Sequence, residues 1–451
     1  MDRRRLRRIV SAPCAGLLLA CAVACEPPPQ PSELSVVFVV LDAAGARYFG
    51  SYGNQRDTTP RIDAFARDAT VFERAYAQAA WTLPSVGSFM TGRYPPMRGH
   101  DLRVVETETL ARVLQREGLR TGAFTENPYV TRTFGLATGF DEFREYFPHE
   151  ALVQAAGRYL RRDSQHTVDG ALAWVREQQG RRFFLYVHLL APHAPYQPPP
   201  PFGGRFDAAY AGTVHGLPET LTKINEGTLA ITDRDLEHLR LQYQENLAYA
   251  DHQAGRLLDG LDALGVLDHA LVIVAADHGE AFREHGALMH NTTVYEEMVH
   301  VPLVLRVPGR DAPARFGGVV ELRAIFPTLC EALALASCPR ELAPSLLPRL
   351  REGGERSGLA RTWSRGPSGA FAALVLPRHK LIVRAESFEP LALYDLANDP
   401  GETKDLAAAQ PELVREARST LRDPSLAVFV GEAAVVDPAT RERLEALGYV
   451  E

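Results

Sequence analysis

A chain of 451 residues, 46% of them apolar, suits one large domain with an appendage or two to three smaller ones, and it can bury a sizeable core. Its formal charge is −7; residues 1–24 carry +4, so the remainder carries −11. An acidic balance of that size excludes a general nucleic-acid binder.

The chain opens with "MDRRRLRRIVSAPCAGLLLACAVACEPPPQPS", a basic start followed by an apolar run from Ile9 to Ala24 and a Cys. Residues 1–24 read as an export signal, because the run is too short for a comfortable transmembrane helix. Small residues ahead of Cys25 and the Pro-rich tether 25–33 behind it resemble a bacterial lipoprotein signal, in which Cys25 is acylated. Cys21, in "LLAC", is the competing acceptor. The expectation is an exported protein, in the periplasm or at the outer membrane or cell surface, with a lipid anchor as its contact with the membrane.

"LSVVFVVLD" (34–42) reads as a buried strand, rich in Val and too short for a helix. In "AAWTLPSVGSFMTG" a Pro two residues after Thr82 predicts the first turn of a helix, so Thr82 lies at or just before its N-terminus. Thr there is either an ordinary N-cap or a nucleophile beside free N–H groups and the positive dipole end. "TETLARVLQREGL" and "DGALAWVREQQG" read as amphipathic helices, followed by the strands "RTGAF" and "RFFLYVHLL". The Pro-rich "PYQPPPPFGG" (195–204) is a loop bordering the site. From Asp233 to Ala263, Leu239, Tyr243, Leu247, Ala250, Ala254, Leu257 and Leu261 form one helical stripe, stopped by Gly265. "HALVIVAADHGE" and "HVPLVLRVPG" are two more buried strands.

Strand–helix alternation predicts an α/β fold with a mainly parallel central sheet flanked by helices over 34–344. Residues 345–451 change character: "FAALVLPRHKLIVRA" and "PLALYDL" read as antiparallel strands and "QPELVREARSTL" as a helix, a smaller C-terminal α+β subdomain. Of five Cys, three lie in the leader. Cys330 and Cys338 read either as a small disulfide loop or as two free thiols.

Ligands of open parallel sheets gather beyond the carboxyl ends of the strands. Asp42 closes "VVFVVLD" and Asp277 closes "ALVIVAAD", with His278 next to it. Carboxylates directly after fully apolar strands need neutralising, and a divalent cation would do so.

These residues carry a resemblance. "VVFVVLDAAGARYFGSYG", "TTPRIDAFARDATVFERAYAQ", "WTLPSVGSFMTGRYP", "APHAPYQPP", "ADHGE" and "YEEMVHVPLVLRVPG" occur in order, and "LYDLANDPGETKDLA" and "LEALGYV" follow. Together they resemble the sulfatase family of the alkaline-phosphatase superfamily from about residue 34 onward. The resemblance implies a hydrolase of sulfuric or phosphoric esters with one divalent metal ion (Ca, Mg, Mn or Zn) held by Asp42, Thr82, Asp277 and His278.

Thr82 falls on the family's nucleophile position. Sulfate hydrolases carry Cys or Ser there, within C/S-x-P-S-R, and mature it to formylglycine; this chain reads T-L-P-S-V. Thr cannot become formylglycine, Val86 replaces the Arg, and Ala43 replaces the second Asp of the usual pair. Where a G-K-W-H element is expected, "FTENP" leaves Asn127 as the substrate-binding residue. Thr nucleophiles belong to phosphoryl-transferring relatives, in which metal coordination activates the hydroxyl.

His193, in "APHAPY", matches a position that contacts the anion or the leaving oxygen, and suits general acid work. His290 lies where sulfatases place a Lys and would supply part of that charge. Both are expected to act in catalysis and substrate binding. His188 and His285 read as structural, or as supports behind the reacting groups. Asp251 reads as mid-helix, facing solvent or a helix cap, which favours a single metal. The expected substrate is a small-molecule, glycan or lipid ester. The alternatives are a catalytically silent metal- and anion-binding relative and a transferase of phospho-headgroups.

Overall fold

The computed structural model describes residues 30–96, 102–106, 108–147, 164–309, 314–348, 358–366, 369–423 and 425–446. The leader, Cys14, Cys21 and Cys25 lie outside the described residues, as does most of the tether. No helix among the described residues is long and apolar enough to cross a membrane.

The centre is a nine-stranded sheet. Its strands are β1 (Ser35–Leu41), β2 (Thr70–Tyr76), β3 (Arg120–Thr125), β4 (Glu142–Glu145), β5 (Phe183–Leu189), β6 (Ala270–Ala276), β7 (His300–Val301), β8 (Leu303–Arg306) and β9 (Ala314–Glu321). The spatial order is β7–β2–β8–β6–β1–β5–β3–β4, with β9 on the other side of β2. From β6 to β4 every pairing is parallel. β8 runs antiparallel to β6 and β2, so the sheet is mainly but not wholly parallel. Pro302, which has no N–H to give a ladder, separates β7 from β8. β1, β5 and β6 are buried along their whole length, as expected for Val-rich strands covered on both faces.

Helices cover that sheet. Thr232 and Asp235 form a reciprocal capping box that starts the helix Asp233–Ala263, and Gly265 adopts φ +68° just beyond its end. All seven residues of the predicted stripe are fully buried. Asp251 is buried too, and of the two readings, solvent or a helix cap, the structure shows the cap: its Oδ2 and Oδ1 accept from the backbone N–H groups of Arg61 (3.0 Å) and Ile62 (2.8 Å). It caps α1 (Pro60–Ala66) from a neighbouring helix.

A second, four-stranded antiparallel sheet follows near the C-terminus: Ala360–Gly366, Gly369–Val375, His379–Arg384 and Pro390–Asp395, in sequential order, beside the helix Pro411–Leu421. Sequence reading overlooked the first of these strands, "ARTWSRG", because its polar residues do not alternate cleanly. Its backbone also bonds to the stretch before Thr82: Trp363 N–H donates to Gln78 O (3.0 Å) and Ala80 N–H to Trp363 O (3.1 Å). Lys380, also from this sheet, is fully buried between Glu296 Oε1 (2.9 Å) and Glu402 Oε1 (3.0 Å). Cys330 and Cys338 are joined in a disulfide, with Cα atoms 6.0 Å apart.

Candidate active site

Strand register builds the site. Leu41 of β1 pairs with Ala276 of β6 and with Leu189 of β5, so these three strands end level. Asp42 and Asp277, each one residue further, therefore leave the sheet side by side. α2 (Thr82–Thr91) aims its N-terminus at the same place. Ser85, in its first turn, donates to Asp277 O (2.5 Å) and ties the helix to the end of β6.

The two carboxylates are arranged alike. Asp42 Oδ2 accepts from Asn127 Nδ2 and lies 3.1 Å from His188 Nε2, while Asp42 Oδ1 accepts no hydrogen bond. Asp277 Oδ1 accepts from the N–H groups of Ala43 (3.2 Å) and His278 (2.9 Å), while its Oδ2 accepts none. Both idle oxygens stand 3.6 Å from His278 Nε2. His278 Nδ1 lies 2.9 Å from Gly279 O, so it carries the proton and leaves the Nε2 lone pair facing the carboxylates.

A fully buried oxygen without a partner is costly, and two beside an imidazole lone pair make a cation-shaped gap. Ligand atoms of Asp42, Asp277 and His278 lie within 4.8 Å of one another, and no other such cluster occurs among the described residues. The donor set fits a divalent ion.

Thr82 is not an ordinary cap. It lies inside the helix, whose N-cap is Trp81, and its Oγ1 is 3.2 Å from His278 Nε2 and 3.3 Å from Asn127 Nδ2. Asn127 Oδ1 accepts from Tyr129 N–H (2.7 Å), which orients the amide so that its NH2 group faces Thr82 and Asp42.

His193, His278 and His290 cluster: the His290 ring centroid is 4.5 Å from that of His278 and 4.8 Å from that of His193. His290 Nδ1 is 3.1 Å from Glu280 Oε1, and His193 Nδ1 is 2.7 Å from Ala194 O. Asp42, Thr82, Asn127, His188, His193, Asp277 and His278 are all fully buried.

Electrostatics follow from burial and pairing. Burial alone would raise the Asp42 carboxyl, but the His188 hydrogen bond and the neighbouring imidazoles of His193, His188 and His278 hold it well below the usual carboxylate range. Asp277 is pushed up, first by burial and then by Asp42. Burial pulls His290 down, and Glu280 outweighs it, so that this imidazole keeps its proton to higher pH than usual.

Every predicted site residue among those described converges on this gap. Sequence reading understated His188 and missed Ser85 and Glu280. A lone His in the apolar run "FFLYVHLL" was the available signal, since a buried polar side chain needs a partner. His285 does stand apart, between Glu297 Oε1 (2.8 Å) and Glu402 O (3.2 Å).

Residues 35–335 match the Sulfatase family. The chain belongs to the sulfatase family. It is similar to arylsulfatase K of Gallus gallus, 25% identical over 469 residues that cover 90% of this chain and 86% of that one. Among solved structures it resembles the phosphonate monoester hydrolase of Agrobacterium radiobacter, with a TM-score of 0.67, 21% identity and coverage of 89% and 97% of the two chains. It also resembles BT4656, solved with its substrate D-glucosamine-2-N,6-O-disulfate, with a TM-score of 0.69, 19% identity and coverage of 87% and 99%. The structural likenesses establish an alkaline-phosphatase-like fold. Membership makes this sulfatase-family protein an ester hydrolase, in a family that is metal-dependent.

Proposed function

We propose that this sulfatase-family protein hydrolyses phosphoric esters in preference to sulfuric esters, with Thr82 as nucleophile and one divalent ion held by Asp42, Thr82, Asp277 and His278. The carrying observation is the Thr82 hydroxyl: it faces His278 Nε2 and Asn127 rather than the helix it begins. The likeness to a phosphonate monoester hydrolase supports the phosphoric side of the reading.

When bound, the ion would supply positive charge that lets the Thr82 hydroxyl lose its proton to water and that offsets the charge of an anionic ester. The N-terminus of α2 adds uncapped N–H groups and the positive dipole end on the same side. Asn127 Nδ2 donates to the Thr82 oxygen and holds it in line. His290, kept protonated by Glu280, stands where family members carry a Lys and offsets charge on the ester. His193 gives a proton to the departing ester oxygen. The Thr82 ester that forms is then cleaved by water, restoring the hydroxyl.

The test is a panel of aryl phosphate monoesters, phosphodiesters, phosphonates and sulfates, with chelator and with single added divalent ions. Thr82→Ala is expected to lower turnover of the best substrate at least about 1,000-fold, on the order of what loss of a nucleophile costs. Thr82→Ser, which keeps the hydroxyl, should stay within about tenfold. Wild-type turnover in Thr82→Ala would refute the reading. Export by residues 1–24 and acylation of Cys25 belong to the same proposal; Cys25→Ser should move the protein from the membrane fraction to the soluble one.

A further inference from the structure

His188 is a fully buried titratable group that the proposed reaction does not use. It sits one residue before the end of β5, paired in register with Val40 of β1 on one side and Thr125 of β3 on the other. Its side chain is fully buried. Nε2 is 3.1 Å from Asp42 Oδ2 and 4.0 Å from Asp277 Oδ2, while Nδ1 is 2.8 Å from the hydroxyl of Tyr186, two residues earlier on the same face of the strand.

We propose that His188 is a positioning residue of the metal centre: its Nε2–H holds Asp42 by Oδ2, so that Oδ1 is the oxygen presented to the cation. This rests on the metal-dependent reading above. Three observations carry it. The Asp42 oxygen that His188 engages already takes a second hydrogen bond, from Asn127, whereas the other takes none. The Tyr186 hydroxyl can donate to Nδ1, and burial pushes its own ionisation far above the usual range, so the phenol keeps its proton. Asp42 Oδ2 is a carboxylate oxygen and can only accept, so the hydrogen sits on Nε2, which is a donor toward the carboxylate and not a ligand.

Finally, Asp277 needs no such side chain, because the N–H groups of Ala43 and His278 do the same for its Oδ1. Asp42 Oδ2 has no backbone donor of that kind, and His188 with Asn127 replaces it. Partners of this sort tune metal affinity by about 10- to 100-fold.

The experiment measures Mn2+ binding by calorimetry on the chelator-stripped full chain, with the thermal midpoint of the ion-free protein recorded for each variant. His188→Gln places an amide N–H near the position of Nε2; His188→Met matches its length without a donor. The expected result is Mn2+ affinity within about threefold of wild type for His188→Gln and 10- to 100-fold weaker for His188→Met, at similar ion-free midpoints. Tyr186→Phe should weaken binding about three- to tenfold, because the imidazole tautomer is released. Equal affinity of the Gln and Met variants overturns the proposal, and an unchanged Tyr186→Phe overturns the tautomer on which it depends. If His188→Met does not fold, the Gln and Phe variants still decide: Gln weakened more than tenfold refutes a donor role. Wild-type protein that takes up no divalent ion refutes the metal-centre reading itself, a separate outcome from ion binding that ignores His188.

Discussion

Replacing Asp277 by Asn should stabilise the ion-free protein and at the same time remove most of what a divalent ion adds. Asp42 and Asp277 present buried ligand oxygens within 4.8 Å of each other, and both oxygens lack hydrogen bonds. Two unit charges at that separation repel by about 3 kcal/mol at an effective dielectric of about 20. Proton uptake by Asp277, whose carboxyl burial and Asp42 push up, relieves part of this, leaving about 1–2 kcal/mol to be gained.

The Asn carbonyl keeps the N–H bonds of Ala43 and His278, and no cavity forms. A missing charged ligand should cost at least about 100-fold in ion affinity, the upper end for losing a mere supporting partner. At an ion concentration of about 1,000 times the wild-type Kd, wild type gains about 4 kcal/mol and the variant about 1.4 kcal/mol. The stability order should therefore invert: Asp277→Asn ahead in chelator, wild type ahead in Mn2+. Urea unfolding followed by tryptophan fluorescence in both buffers reads this directly. A variant less stable than wild type in chelator, or one with an undiminished gain from the ion, would refute the argument.

Burial raises the Asp251 carboxyl to about 7 against the lowering effect of its bonds to the Ile62 and Arg61 N–H groups. The folded state then holds its proton longer than the unfolded one, so this contribution to stability is complete below the unfolded value of 3.8 and disappears as pH rises through 7. The slope is up to about 1.4 kcal/mol per pH unit, and Asp251→Asn should flatten it in urea midpoints taken across that range. Lys380→Met leaves the buried Glu402 and the partly buried Glu296 without their cation and should cost about 3–5 kcal/mol in the same assay, part of it recovered by adding Glu402→Gln. Reducing the Cys330–Cys338 bond, which closes a loop of sequence separation 8, should cost about 2–3 kcal/mol; an unchanged thermal midpoint in reductant would count against it.

Much of the site was legible because its residues carry local signals. Asp42 and Asp277 stand out as charges at the ends of apolar strands, and Thr82 stands out by its place ahead of Pro84. His188 was harder. Within "FFLYVHLL" it is indistinguishable from a buried His satisfied by a backbone carbonyl, and only the register of β5 against β1 shows that its partner is Asp42. Lys380 was invisible for the same reason: Glu296 and Glu402 are 84 and 22 positions away, and no periodicity links them.

Composition, periodicity and strand-end charges thus determine that this chain is an α/β protein with acids and a threonine at the edge of its sheet, since burial imposes those patterns on neighbours in sequence. Which oxygen of each acid stays unpaired, which way Asn127 turns, and that Thr82 faces an imidazole instead of capping its helix were decided by tertiary structure alone. The physical reason is that hydrogen-bond direction depends on partners brought within about 3 Å by sheet register, and register couples residues that sequence keeps far apart.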